Sequence, residues 1–351
     1  MNDSITINGR KIGPGHPPYV VAELSANHNG DLGRALAVVE MAKDAGADAV
    51  KLQTYTADTI TLDVERDEFV ISDKKSLWAG RSLYSLYQEA HTPWEWQKEI
   101  ITRSQALGME CFSSVFDQSS VDFLEELNVS AYKIASQEIV HLPLIQLVAE
   151  TDKPIVMSTG MASLAEIDEA VNLVRKTGRS EIALLKCTSS YPASAENSNV
   201  LTIPYLRELF GCEVGLSDHT LGIGAALAAV SHGATLIEKH FTLSRADGGV
   251  DSAFSMEPDE TRQLVVELQR ARASLGRVFF GPTEAERGSL SGRRSLYIAE
   301  NVEAGERLTT KNLRVVRPNL GLAPKYYSEM LGRRVSRKVE KGTPLQWALI
   351  E

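Results

Sequence analysis

Two lysines, two histidines and several carboxylates stand at the ends of short apolar runs. Lys51 and Gln53 close residues 49–53, Lys133 closes 131–134, His219 comes just after 214–216, and His240 just after 235–237. Glu23 stands at the end of 19–24, and Ser114, Ser136 with Glu138, Ser158-Thr159-Gly160, Thr188-Ser189-Ser190-Tyr191, Ser217-Asp218 and Glu238-Lys239 occupy equivalent places. A lysine ammonium backed by hydroxyls is a compact phosphate ligand. Two neutral imidazoles with a nearby carboxylate and water suit a borderline divalent ion. So many polar residues directly behind apolar runs point to one site assembled from many strand ends.

Each residue also has a plainer role. A strand-end histidine is often just a hydrogen-bonded structural group, and a lysine is often solvated, although Lys at the close of a buried strand argues against solvation. Glu23 suits a general acid-base group or a counter-ion to Lys51.

The elements that must position these residues are apolar runs at 19–24, 49–53, 109–113, 131–134, 155–158, 182–187, 214–216 and 235–237, with amphipathic stretches of helical length between them. Apolar runs without alternation imply strands buried on both faces, as in a parallel sheet, and eight strand-helix units predict a closed (β/α)8 TIM barrel. An open doubly wound sheet is the alternative, but no Gly-x-Gly-x-x-Gly follows the first strand. A hairpin is expected over 4–13. Residues 56–91 form a long aromatic-rich insertion behind the second strand, read as a substrate-covering loop, or else as a surface excursion packed on its own aromatics. The expected domains are a barrel over 1–276, a linker over 277–292, and a small domain of short strands and turns over 293–351.

The chain has 351 residues, 43% hydrophobic and 24% charged, with a formal net charge of -9. That composition is globular, and the acidity excludes a nucleic-acid footprint while requiring that any anion pocket be locally basic. No apolar segment approaches the ~20 residues of a membrane span, and no leader pattern precedes the first strand, so neither membrane association nor export is expected. Cys111, Cys187 and Cys212 are widely spaced, without zinc-ligand pairing, and read as buried reduced thiols of a cytoplasmic protein.

Several motifs carry a resemblance. Ala22-Glu23-Leu24-Ser25-Ala26-Asn27-His28-Asn29-Gly30, Lys51-Leu52-Gln53-Thr54, Tyr132-Lys133-Ile134-Ala135-Ser136, Ser158-Thr159-Gly160-Met161, Gly215-Leu216-Ser217-Asp218-His219-Thr220 and Glu238-Lys239-His240-Phe241-Thr242 resemble the sialic acid synthase family, nearly end to end. The C-terminal piece, with Arg317-Pro318-Asn319-Leu320-Gly321-Leu322, looks like that family's antifreeze-like (SAF) domain. Glu23-Leu24-Ser25-Ala26, residues 76–96 and residues 244–252 resemble the pseudaminic acid synthase branch; Val115 stands where the family often has Pro.

The resemblance implies a cytoplasmic transferase that joins phosphoenolpyruvate to an amino-sugar aldehyde, with release of phosphate. It implies Glu23, His219 and His240 as catalytic residues, the two histidines binding a divalent metal ion (Mn²⁺ or Mg²⁺). Lys51, Ser114, Lys133, Ser136, Ser158, Ser189 and Ser217 would hold phosphoenolpyruvate, Ser189 standing where neuraminate synthases place an Asn. Gln53, Phe116, Glu138, Tyr191, Asp251 and Arg317 would line the sugar site, Arg317 being delivered to the partner subunit of a domain-swapped homodimer. The sugar expected is 2,4-diacetamido-2,4,6-trideoxy-L-altrose, giving pseudaminic acid. A neuraminate or legionaminate synthase is the alternative within the family, and a non-catalytic sugar- or ice-binding protein the alternative outside it.

Overall fold

The apolar runs fold as strands in which alternate residues meet different neighbours. A computed structural model of the protein describes residues 4–351, in two compact units, Met1–Gly276 and Arg277–Glu351. The first opens with an antiparallel hairpin, β1 (Ile5–Ile7) and β2 (Arg10–Ile12). Then come β3 (Tyr19–Glu23), β4 (Ala49–Thr54), β5 (Glu110–Val115), β6 (Tyr132–Ile134), β7 (Ile155–Ser158), β8 (Ile182–Cys187), β9 (Glu213–Asp218) and β10 (Leu236–His240). These eight are parallel, each pairs with the next, and β10 pairs with β3 to close the barrel. Among the described residues each barrel strand is followed by a helix, from Leu32–Asp44 to Pro258–Leu275. The (β/α)8 expectation holds, and the open sheet is excluded by the β10–β3 pairing.

Because strand side chains alternate, one set points into the barrel and the other under the helices. Val20, Val50, Ile134, Met157, Leu184, Leu216 and Ile237 join the helices in one core. Tyr19, Val21, Ala49, Phe112, Ala131, Val156, Ala183, Leu185 and Leu236 form a second core inside the barrel, and Ile5, Ile7 and Ile12 of the hairpin complete it. At Gly215 a Cβ would lie 2.2 Å from the Leu236 carbonyl oxygen and 2.7 Å from Leu185, so that interior position accepts only glycine. The apolar filling stops one residue pair short of the carboxyl ends of the strands. Above it, the same inward parity carries Glu23, Lys51, Ser114, Lys133, Ser158, Cys187, Ser217 and Glu238.

Four strands run further than the sequence reading placed them. β4 extends to Thr54, β5 to Val115, β9 to Asp218 and β10 to His240, so His240 ends its strand instead of following it. The polar residues are tolerated because Asp218 and Lys239, register partners on the outward parity, pair with each other at 2.8 Å. Ser113 likewise faces outward, bonded with Thr54 and away from the site.

The insertion is folded as well. Helices Ala57–Ile60 and Leu83–Ala90 flank a 3-10 turn at Asp67–Phe69, and Ser82 caps the second helix by accepting from Ser85 N. In the second unit, β11 (Ser295–Ile298) and β12 (Leu313–Val316) pair antiparallel over a core that includes Leu296, Val302, Leu308, Met330, Val335 and Leu345. Within the stretch expected as linker, Glu284–Gly292 forms 3-10 turns.

Candidate active site

Lys51 and Lys133 are 4% and 2% exposed, far below the usual state of lysine, and must therefore have partners. Lys51 forms an ion pair with Glu23, donates to Ser114 Oγ at 3.1 Å, and lies 3.8 Å from Glu238. Lys133 donates to Ser158 Oγ at 2.7 Å and to its neighbour's carbonyl, Ile134 O, at 3.1 Å. Ser217 donates to Glu238 Oε1 at 2.9 Å. Ser114 and Ser158 thus accept from ammonium groups, and each keeps its own O–H free to donate to an anion.

Burial works against every charge here, and neighbours decide which charges survive. Burial raises Glu23 to about 7, against the attraction of Lys51. It opposes the Lys51 charge too, but Glu23 and Glu238 outweigh it and hold Lys51 above the ordinary lysine value. Lys133 is lowered, chiefly by burial. For Glu238 burial favours the neutral acid, yet Lys133 and Lys51 outweigh it and keep the carboxylate ionised.

Beside the lysines, the loop after β7 approaches those after β6 and β8. Gly160 N donates to Ser136 Oγ at 3.1 Å, and a Cβ at Gly160 would lie 2.4 Å from Ser189 Oγ and 2.6 Å from Ser136 Oγ. The missing side chain is what lets the two hydroxyls converge.

His219 and His240 stand with ring centroids 5.3 Å apart. His219 Nδ1 lies 3.0 Å from Thr188 O; the carbonyl can only accept, so Nδ1 carries a proton and Nε2 is the ring nitrogen left to face a cation. His240 is held well below the ordinary histidine value by burial and by His219, and its buried Nδ1 has no hydrogen-bond partner. Two imidazole nitrogens are thus available to a cation. Among the described residues no cluster of three or more His, Cys, Asp or Glu accompanies them, so the protein would supply only part of a coordination shell.

A cavity of about 620 Å³ opens beside this layer. Gln53, Phe116, Glu138, Tyr191, His240 and Asp251 all line it. Its outer wall comes from the insertion, through Ile60, Ile71, Trp78, Leu83, Leu86 and Tyr87. Trp78 Nε1 donates to Val250 O at 3.0 Å, and its ring lies 5.8 Å from Tyr191, which fastens the insertion over the barrel mouth. Burial raises Glu138 to about 7, and its Oε2 has no hydrogen-bond partner.

The barrel therefore brings together the residues singled out in the sequence, apart from Arg317, which is exposed directly after β12 in the second unit. Sequence reading passed over Ser25 and Tyr55 as cavity-lining residues, placed Trp78 only within the substrate-covering insertion, and treated Cys187 only as a buried thiol. Cys187 is buried, but on the inward parity of β8, its Sγ 4.0 Å from His219 Nδ1. Parity from Leu185 would have placed it there.

Residues 38–279 match the NeuB family and residues 293–351 the SAF domain. A pseudaminic acid synthase of Helicobacter pylori is 43% identical over 331 residues, covering 94% of this chain and 96% of its own. An N,N'-diacetyllegionaminic acid synthase of Legionella pneumophila is 36% identical over 358 residues, covering both chains completely. The crystal structure of an N-acetylneuraminic acid synthetase from Leptospira borgpetersenii, in complex with citrate, superposes with a TM-score of 0.71 at 33% identity, covering 82% of this chain and 95% of that one.

Proposed function

This chain belongs to the NeuB family, and we propose that it is the member that condenses phosphoenolpyruvate with 2,4-diacetamido-2,4,6-trideoxy-L-altrose and water, giving pseudaminic acid and phosphate. The observation that carries this reading is the junction of two compartments. A buried layer holding Lys51 and Lys133 meets a 620 Å³ cavity whose outer wall is mostly apolar, with Asp73 and Ser76 as its polar members. The first suits a small phosphorylated acid, the second an amino sugar with methyl and acetamido groups.

Carbon 3 of phosphoenolpyruvate attacks the sugar aldehyde, cationic character develops at carbon 2, water adds there, and the tetrahedral adduct loses phosphate. Lys51 and Lys133 hold the phosphate oxygens throughout and stabilise its departure, aided by the free hydroxyls of Ser114 and Ser158 and the pair converging at Gly160. Lys133 and Lys51, with the Ser217 hydroxyl, hold Glu238 ionised, where it balances the lysines and stabilises the cationic carbon. Glu23, whose affinity for a proton is raised by burial, takes the proton of the attacking water. The Trp78 cover excludes other water during that interval.

His219 and His240 would hold a divalent ion, Mn²⁺ or Mg²⁺, which when bound polarises the aldehyde oxygen. The second unit supplies Arg317 to the sugar site of a partner subunit, in a homodimer with exchanged lids.

The H. pylori relative and the apolar wall favour the trideoxy sugar over N-acetylmannosamine, whose extra hydroxyl would be buried there at a cost of ~1–3 kcal/mol. The test is incubation with phosphoenolpyruvate and a panel of acetamido-hexoses, with phosphate release measured and products identified by NMR. Turnover of the diacetamido trideoxy sugar at least about tenfold more efficient than that of the others supports the reading. Equal use of N-acetylmannosamine assigns the chain to the neuraminate branch, and no phosphate release with any sugar removes the synthase reading.

A further inference from the structure

Ser25 adopts φ +46°, a left-handed conformation that disfavours any residue with a Cβ. It is also buried and lines the cavity. A non-glycine residue persists in such a conformation when its side chain does something that glycine cannot. Here the hydroxyl donates to Asp251 Oδ2 and accepts from Gln53 Nε2 at 3.1 Å. Gln53 Nε2 also donates to Glu23 Oε1 at 2.9 Å.

The donor count fixes the glutamine. With its proton committed to Asp251, Ser25 Oγ can only accept from Gln53, and Glu23 Oε1 accepts as well. Both N–H bonds of the Gln53 amide are therefore used, and its nitrogen must face these two oxygens. Its amide oxygen has no hydrogen-bond partner among the described residues and is left to the cavity that Gln53 lines. Without the Ser25 hydroxyl, one of two bonds holding this orientation is gone and the amide can turn.

We propose that Ser25 is a positioning residue for sugar selection: bridging Asp251 and Gln53, it presents the Gln53 amide oxygen as a fixed acceptor for an N–H or O–H donor of the substrate, the amide N–H of an acetamido group being the donor class it fits. The proposal rests on the reading of the cavity as the sugar site and adds to it a residue and a polarity. The same bridge makes Lys51–Glu23–Gln53–Ser25–Asp251 one continuous chain of contacts from the phosphate layer to the sugar cavity.

The test compares Ser25→Gly, Ser25→Ala and Gln53→Ala, alone and as the Ser25→Gly/Gln53→Ala double variant, using whichever acetamido-hexose the wild type condenses best. Glycine suits φ +46°, so Ser25→Gly offsets part of the cost of the lost Asp251 hydrogen bond and is expected to melt above Ser25→Ala, which loses the same bond and keeps the backbone strain. Both are expected to raise KM for the sugar roughly tenfold while KM for phosphoenolpyruvate stays within about twofold. In the Gln53→Ala background, Ser25→Gly is expected to add no further rise, because its effect passes through the glutamine. An unchanged sugar KM in a folded Ser25→Gly protein overturns the proposal, as do independent, multiplying effects in the double variant. A wild type that prefers a different acetamido-hexose removes the substrate reading alone and leaves Ser25 to be judged on the same KM split. A wild type that releases phosphate with no amino sugar removes both.

Discussion

Lys239 donates to Asp218 at 2.8 Å across the β9–β10 pair, and each of these residues immediately precedes one of the two histidines of the site. Lys239 also donates to Thr220 O at 2.7 Å, and Asp218 Oδ1 accepts from Thr220 N at 2.9 Å. The pair is buried on the outward face of the sheet while His219 and His240 face inward. An ion pair in that place locks the register of the two strands at the point where their histidines must meet.

Removing one partner leaves the other charge buried without compensation. Asp218→Asn and Lys239→Met are each expected to destabilise the barrel by about 3–5 kcal/mol, and the Asp218→Leu/Lys239→Met double variant by clearly less than either single change. Urea unfolding followed by circular dichroism measures this. Additive losses in the double variant would show that the two residues are not acting as a pair.

How far the fold was legible in the sequence follows from the same pair. The runs at 19–24 and 49–53 announce themselves because burial on both faces leaves them apolar, and that sufficed for the barrel. Strand ends were not legible at Ser217-Asp218 and Glu238-Lys239-His240, because polar residues there look like loop until one knows that Asp218 meets Lys239. Site residues were legible where a charged or hydroxyl group interrupts an apolar run, as at Lys51, Lys133 and Ser158. Ser25 was not, since nothing local marks a left-handed serine. Trp78 was legible only as part of an aromatic insertion read as a cover; its anchoring depends on Val250, far away in sequence, accepting its indole N–H.

The convergence of Ser136 and Ser189 over Gly160 makes that glycine sensitive to the smallest change. Gly160→Ala would place a methyl group within 2.6 Å of both hydroxyl oxygens and must push them apart. KM for phosphoenolpyruvate is expected to rise about tenfold or more, with KM for the sugar within about twofold, because the disturbance lies on the phosphate side. Steady-state kinetics with each substrate varied in turn decides it, and a parallel rise in both constants would count against the phosphate assignment.

Glu138 gives the site a pH signature. Its value is raised to about 7 by burial, so the folded protein holds this proton more tightly than the unfolded chain does. Its contribution to stability is therefore complete below the ordinary glutamate value and is lost as pH rises through about 7. Glu138→Gln, which stays neutral, is expected to lose about 1–3 kcal/mol less stability than the wild type between pH 5 and pH 8. Comparing urea midpoints of the two proteins at both pH values isolates this group from others that titrate in both. Identical pH dependence would mean that Glu138 is ionised throughout.

The proposed exchange of lids concerns Arg317, exposed at the end of β12 in the second unit. Its planar guanidinium suits a sugar hydroxyl or a carboxylate, and its arrival would help exclude water from the cavity. The chain from Arg277 to Gly292 precedes the second unit's first strand. At ~3.3 Å per extended residue, the part from Arg277 to Thr283, which holds no helix or strand, can span about 20 Å, so length permits delivery to its own barrel or to a partner's. Complementation separates the two. Arg317→Ala and Lys51→Ala chains, carrying different tags, are each expected to be nearly inactive, since each homodimer lacks one essential group at every site. If the arginine acts in trans, a purified mixed dimer contains one site with both defects and one with neither, and is expected to recover about half of wild-type activity. If it acts within its own chain, each site of the mixed dimer keeps one defect and activity stays at the level of the parents. Tandem-tag purification establishes that mixed dimers have formed, so parental activity in that fraction would overturn the exchanged-lid arrangement, and a chain that remains monomeric while fully active would do so as well.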